Sequence, residues 1–137
     1  MTEMIKEFKF MIDGQPMSKK RNYKIIKIGR HYTLGLATKY KHWEKSARDQ
    51  LWAQRMTYQS SMTGVMKIRS DVEVTFEFFL KDKRRYDLSN LIQGPEDALV
   101  KAGILDDDSL IQSVDGSRKH RGCDTPRVMI TIRAFKC

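Results

Sequence analysis

Val72-Glu73-Val74-Thr75-Phe76-Glu77-Phe78-Phe79-Leu80 alternates apolar and polar side chains more strongly than any other stretch of the 137-residue chain. Val72, Val74, Phe76, Phe78 and Leu80 fall on one face of an extended segment, and Glu73, Thr75 and Glu77 on the other. That period of two marks a strand with one buried face. Working outward, Phe8, Phe10 and Ile12 alternate with Glu7, Lys9 and Met11. Towards the other end, Val128, Ile130, Ile132 and Ala134 alternate with Met129, Thr131 and Arg133. A hairpin is expected from Tyr23 to Thr33, turning at Gly29-Arg30, and a short fifth strand from Leu110 to Val114.

Helical spacing occurs twice. From about Thr38 to Gln54, Tyr40, Trp43, Ala47 and Leu51 recur on one face, with Lys41, Glu44, Lys45 and Arg48 between them. A second helix is expected within Ser89–Ala102, ending at Gly103, a residue suited to a C-terminal cap. Gly94-Pro95 inside that window leaves two options: a helix that starts at Pro95, or a longer one kinked there. Thr57–Met66 reads as a loop. The expected architecture is α+β, one domain over residues 1–137, with a mixed or antiparallel sheet packed with two main helices.

Hydrophobic residues make up 40% of the chain and charged residues 31%, which excludes a mostly disordered protein. No apolar run approaches the roughly 20 residues needed to cross a bilayer, and Met1–Phe10 lacks the apolar core of a signal peptide. Two cysteines, Cys123 and Cys137, cannot build a disulfide framework. A cytoplasmic protein with no membrane partner is expected. The net charge is +9, and it is lopsided: residues 1–60 hold 13 basic and 5 acidic residues, residues 61–137 hold 13 and 12. A basic first half suggests a polyanionic partner, nucleic acid before others.

Several chemistries are absent. His31, His42 and His120 have no metal-ligand spacing, no serine sits in a nucleophile elbow, and no glycine loop cradles phosphate. The carboxylates are more informative. Asp87 follows the long strand and the run Lys81-Asp82-Lys83-Arg84-Arg85, Glu96 and Asp97 lie in the second helix window, and Asp106, Asp107 and Asp108 follow Gly103. Carboxylates at a strand end, on a helix and just after it can converge at one sheet edge. Oxygen ligands of that kind suit Mg²⁺. A solvated acidic turn and a helix-dipole complement explain the same residues without a metal. Arg84 and Arg85 beside them favour phosphodiester chemistry, which needs cations for the substrate's phosphates.

The run Arg84-Arg85-Tyr86-Asp87-Leu88-Ser89-Asn90-Leu91, then Glu96-Asp97-Ala98-Leu99, then Lys101-Ala102-Gly103-Ile104-Leu105-Asp106-Asp107-Asp108, resembles the RusA-like Holliday-junction resolvases. Gly14-Gln15-Pro16, the basic run Lys19-Lys20-Arg21 and the tyrosine-bearing hairpin fit the same pattern, so the resemblance covers nearly the whole chain. It implies a RusA-like fold and a homodimeric, Mg²⁺-dependent endonuclease, with Mn²⁺ a workable substitute. Such an enzyme cuts two symmetrical strands of a four-way DNA junction in recombination and repair, often from phage or prophage genes. By position, Asp87 is the first catalytic carboxylate and Asp108 the last, with Asp107 beside it.

The chain departs from the family pattern twice. Ser89 stands where the pattern has a second aspartate, and Gln93 where it has a lysine. Glu96 and Asp97 are the candidates to replace the lost carboxylate. Asp97 leads, because it matches the family's helix aspartate and lies two turns from Asn90. The expected metal ligands are Asp87, Asp97 and Asp108. Junction binding is expected to run through phosphates. Lys19, Lys20 and Arg21, with Lys24, Lys27 and Arg30, are the first candidates; Arg84, Arg85, Arg118, Lys119 and Arg121 are the second. Tyr40, Trp43 and Trp52 read as core or dimer-interface residues. Two other functions stay open: a catalytically weakened junction- or duplex-DNA-binding protein with the same fold, and a basic protein whose partner is another protein.

Overall fold

In the computed structural model, which describes residues 7–19 and 22–136, the strand at 72–79 is the hub of a five-stranded sheet. The elements in chain order are β1 (Glu7–Asp13), β2 (Tyr23–Ile28), β3 (His31–Leu36), α1 (Thr38–Gln59), β4 (Val72–Phe79), α2 (Leu88–Lys101), a 3₁₀ turn over Asp108–Leu110, β5 (Ile111–Ser113), β6 (Arg118–His120) and β7 (Arg127–Ala134). β7 lies between β1 and β4 and is antiparallel to both, with Phe10 and Phe76 each opposite Ile130. Two short strands continue the sheet beyond β4, both parallel to it: β5 beside Val72–Glu73 and β6 beside Glu77–Phe79. Between them Ser117 Oγ accepts the Phe76 N–H at 3.0 Å, so a side chain bridges the gap in the ladder. The fold is α+β with a mixed sheet, as the alternation and helical spacing imply. β6 was not legible, because Arg118-Lys119-His120 has no apolar alternation.

One face of the sheet carries the core. Val74, Phe76, Phe78, Ile130, Ile132 and Ile12 are buried with Tyr40, Trp43, Ala47 and Leu51 of α1 and Leu91, Ala98 and Leu99 of α2. Trp52, by contrast, is about half exposed on α1. The helices meet closely at Gly94: a Cβ there would lie 2.9 Å from Tyr40 Oη and 3.0 Å from Trp43 Cζ3. Of the two options for the second helix, α2 takes the longer, running from Leu88 to Lys101 with Pro95 inside it. It ends in a Schellman turn, with Gly103 N–H donating to Val100 O and Ile104 N–H to Leu99 O, and Gly103 takes the positive φ this needs. Among the described residues no helix is long and apolar enough to cross a membrane.

α1 also seals an edge. Tyr58 Oη, Gln54 Oε1 and Gln50 Oε1 accept the backbone N–H groups of Lys9, Met11 and Asp13 at 2.9, 2.8 and 2.8 Å. Four helical residues rise about 6 Å and two strand residues about 6.6 Å, so every fourth side chain of α1 meets every second N–H of β1. This explains why α1 runs to Gln59 where a loop was expected from Thr57. It also removes β1 as a free template for another strand. Gln54 bonds both ways, its amide donating to Met11 O at 2.6 Å. Gln54→Ala is expected to cost about 1–2 kcal/mol, because both Met11 groups lose their partner. A lower urea midpoint at unchanged m-value is the measurement that checks it.

Candidate active site

α2 is the axis along which the carboxylates are placed. At its head Asp87 is the N-cap residue, with extended backbone, yet its carboxylate makes no capping hydrogen bond. Instead Asp87 Oδ2 accepts from Asn90 Nδ2 at 3.2 Å. Asn90, one turn later on the helix, therefore orients Asp87, a role that its spacing from Asp97 does not suggest. Asp87 opens onto a concavity that it lines with Arg85, Tyr86, Lys119 and Arg121. Tyr86 Oη donates to Asp82 Oδ2 at 3.0 Å, and burial, then this carboxylate, push its phenol pKa up. Ser89 and Gln93 are both exposed on the same helix.

A second group lies further along α2. Glu96 is half-buried, and its pKa is raised to about 7, first by burial and then by the charges of Asp108 and Asp97. Lys19 Nζ donates to Asp97 Oδ2 at 2.9 Å. The turn that presents Lys19 is fixed from within: Asn22 is buried, and its Nδ2 donates to Ser18 O at 2.7 Å. The three aspartates after Gly103 are used differently. Asp106 lies 3.5 Å from Lys67 Nζ. Asp107 caps the 3₁₀ turn, accepting from Ser109 N–H at 3.1 Å and from its hydroxyl, and these bonds lower its pKa. Asp108 is left exposed, its charge facing Glu96.

The expected ligand set thus divides. Ten residues of α2 put about 15 Å of axial rise between Asp87 and Asp97, too far for both to touch one ion. Among the described residues no three Asp, Glu, His or Cys side chains stand close enough to hold a metal unaided. The donors are nonetheless all hard oxygens, and burial, with the charges of Asp108 and Asp97, raises the Glu96 pKa to about 7. Mg²⁺ commonly takes one or two protein carboxylates and completes its shell with water and substrate phosphate, so the donor chemistry fits.

The basic candidates also separate. Lys19 is engaged with Asp97, while Lys20 and Arg21 lie outside the described residues. Among the described residues β2 and β3 pair only with each other, forming a ribbon on which Ile25, Ile28 and Tyr32 are 72%, 63% and 68% exposed beside Lys24, Lys27 and Arg30. Arg84 Nε lies 3.4 Å from Asp82 Oδ2, whereas Arg85 lines the concavity at Asp87.

Glu96 gives the pH dependence a sign. The folded chain holds this proton up to about pH 7, while an ordinary glutamate releases it near 4.5. Between those values the folded state binds more protons than the unfolded state, so stability falls as pH rises through the window and levels off above it. In chelator, Glu96→Gln is expected to flatten that fall. Urea midpoints for both proteins between about pH 4.5 and 8 check this.

The sequence model of a family described as Endodeoxyribonuclease RusA matches residues 13–133. No curated protein matches the chain. The matched span runs from the end of β1 to the end of β7 and contains every carboxylate considered above.

Proposed function

This chain belongs to the RusA family of endodeoxyribonucleases, which act on Holliday junctions, and we propose that it is itself a divalent-metal-dependent junction endonuclease. The observation that carries the reading is the concavity at the head of α2, where Asp87 stands among Arg85, Lys119 and Arg121. Phosphodiester hydrolysis needs both signs of charge together: anions to hold a metal, and cations to hold the phosphate it acts on. A cation-binding or phosphate-binding role alone would need only one of them.

In this reading Asp87 at the head of α2 and Asp108 beside Glu96 are each a metal-holding carboxylate at its own station, taking Mg²⁺, or Mn²⁺ in its place, with water and phosphate completing the shell. When bound, the ion polarises the scissile phosphate and lowers the pKa of its water. The chain's residues do the rest. Asn90 fixes the Asp87 carboxylate, Asp107 holds the turn that presents Asp108, and Asp97 supports Asp108 from α2. One observation favours a second assignment for the last role: Lys19 already neutralises Asp97, and Asp108 perturbs Glu96 more than Asp97 does. Glu96 would then act beside Asp108, giving up its proton as the metal binds.

Lys19, Lys20, Arg21, Arg84 and Arg85 are proposed to meet junction phosphates, with the β2–β3 ribbon's lysines and arginine. Residues 1–137 act as one domain. Two copies act together, because a four-way junction is two-fold symmetric and needs two cuts. The deciding experiment is nicking of synthetic four-way junctions with and without Mg²⁺, on wild type, Asp97→Asn and Glu96→Gln. Cleavage that needs the metal supports the nuclease reading; binding without cleavage supports the weakened, DNA-binding alternative. Whichever of the two variants loses more activity identifies the helper of Asp108.

A further inference from the structure

Resting on that reading, we propose that β6 and the 81–87 loop form a cationic track for the backbone of the strand being cut. Arg85, Lys119 and the head of α2 hold one phosphate beside Asp87, and Arg121 and Lys83 hold the next. The register of β6 places the first of these residues. Lys119 lies opposite Phe78 and so shares the helix-bearing face of the sheet, while Arg118 and His120 lie opposite Glu77 and Phe79 on the other face. From there Lys119 Nζ reaches the Tyr86 carbonyl at the start of α2 and donates to it. Arg121 Nη1 donates to the Lys83 carbonyl at 3.1 Å. Backbone bonds fasten the same two segments: Gly122 N–H to Asp82 O, Cys123 N–H to Leu80 O and Leu80 N–H to His120 O.

These contacts fix the cations without using them up. Lys119 uses one of three N–H donors on a carbonyl and Arg121 one of five, and neither contact is with a carboxylate. The cations are also in series. Arg85, Lys119 and Arg121 line the concavity at Asp87, and Arg121 lines a second, adjoining one with Lys83. A line of positive charge leading away from one carboxylate suits a polymer of phosphates better than a single anion. The helix contributes independently. Because Asn90 draws the Asp87 carboxylate aside, the N-cap side chain makes no capping bond, and the first-turn N–H groups of α2 face the concavity's anion. Arg84 takes no part in the track, its guanidinium being paired with Asp82.

The test is binding of a synthetic four-way junction in chelator, so that cleavage is not the readout. Lys119→Gln with Arg121→Gln removes both charges and leaves an amide donor for each carbonyl. The log–log salt slope is expected to flatten by roughly two units, about 0.9 for each phosphate no longer neutralised. Lys119→Arg with Arg121→Lys is expected to keep the wild-type slope, which a merely structural role for these side chains would not require. Single methylphosphonates are then scanned along the strand. One or two positions are expected to weaken the wild type and to cost the glutamine double variant nothing further. An unchanged slope, or a methylphosphonate cost equal in both proteins at every position, overturns the track while leaving the nuclease reading intact. A wild type with no salt-sensitive junction affinity overturns both.

Discussion

Asp87→Asn and Asp108→Asn are each expected to leave the four-way junction bound and uncut. The substitution replaces a carboxylate by an amide of nearly the same shape, so folding and the Asn90 contact survive while the charge is removed. A metal supplies several kcal/mol of transition-state stabilisation to hydrolysis of this kind. At about 1.4 kcal/mol per decade, loss of a ligand lowers the nicking rate on the order of a thousandfold. Binding persists or tightens, because one anion fewer faces the DNA phosphates. Asp106→Asn is the internal control, since Asp106 is paired with Lys67. Single-turnover nicking beside a binding curve reads both effects. A variant that cuts at the wild-type rate removes that residue from the metal site.

Phe76→Ala is expected to cost about 3–5 kcal/mol, the range for deleting a fully buried aromatic side chain. Phe76 is fully buried at the middle of β4, with the Phe78 ring stacked 6.2 Å away. The void would open inside the core that Phe76 shares with residues of both helices. A domain of this size has roughly 5–15 kcal/mol in all, so the loss is a large fraction of the total. Urea or thermal unfolding measures it directly. A cost below about 1 kcal/mol would show that this layer repacks freely, contrary to the burial described above.

Most of the fold was legible because its long strands and α1 bury one face each, and burial imposes periodicity. Val72–Leu80 announces itself for that reason. β6 does not, because at the edge of the sheet its register is set by hydrogen bonds to β4 rather than by burial. The site divides along the same line. Asp87 and Asp108 stand out by motif spacing, which is local. That Asp87 and Asp97 lie at separate stations on α2 depended on Pro95 being held inside one continuous helix, and that is decided by packing against Tyr40 and Trp43. The Lys19 ion pair with Asp97 joins residues 78 positions apart, and no local pattern encodes it.

The position of β7 has a consequence for how the protein is made. Among the described strands it is the last to be made, yet it sits between β1 and β4, so those two strands stay unjoined until it arrives. At about 5–20 residues per second, the nascent chain carries the β1 stripe and then the β4 stripe for several seconds with their β7-facing edges unpaired. Glu7 waits for Arg133, 126 positions later. Such long-range closure is slow, and the waiting strands can pair with other chains. A message broken before Arg127 is therefore expected to yield no smaller version of the protein, but a fragment whose β1 and β4 lack the strand that joins them.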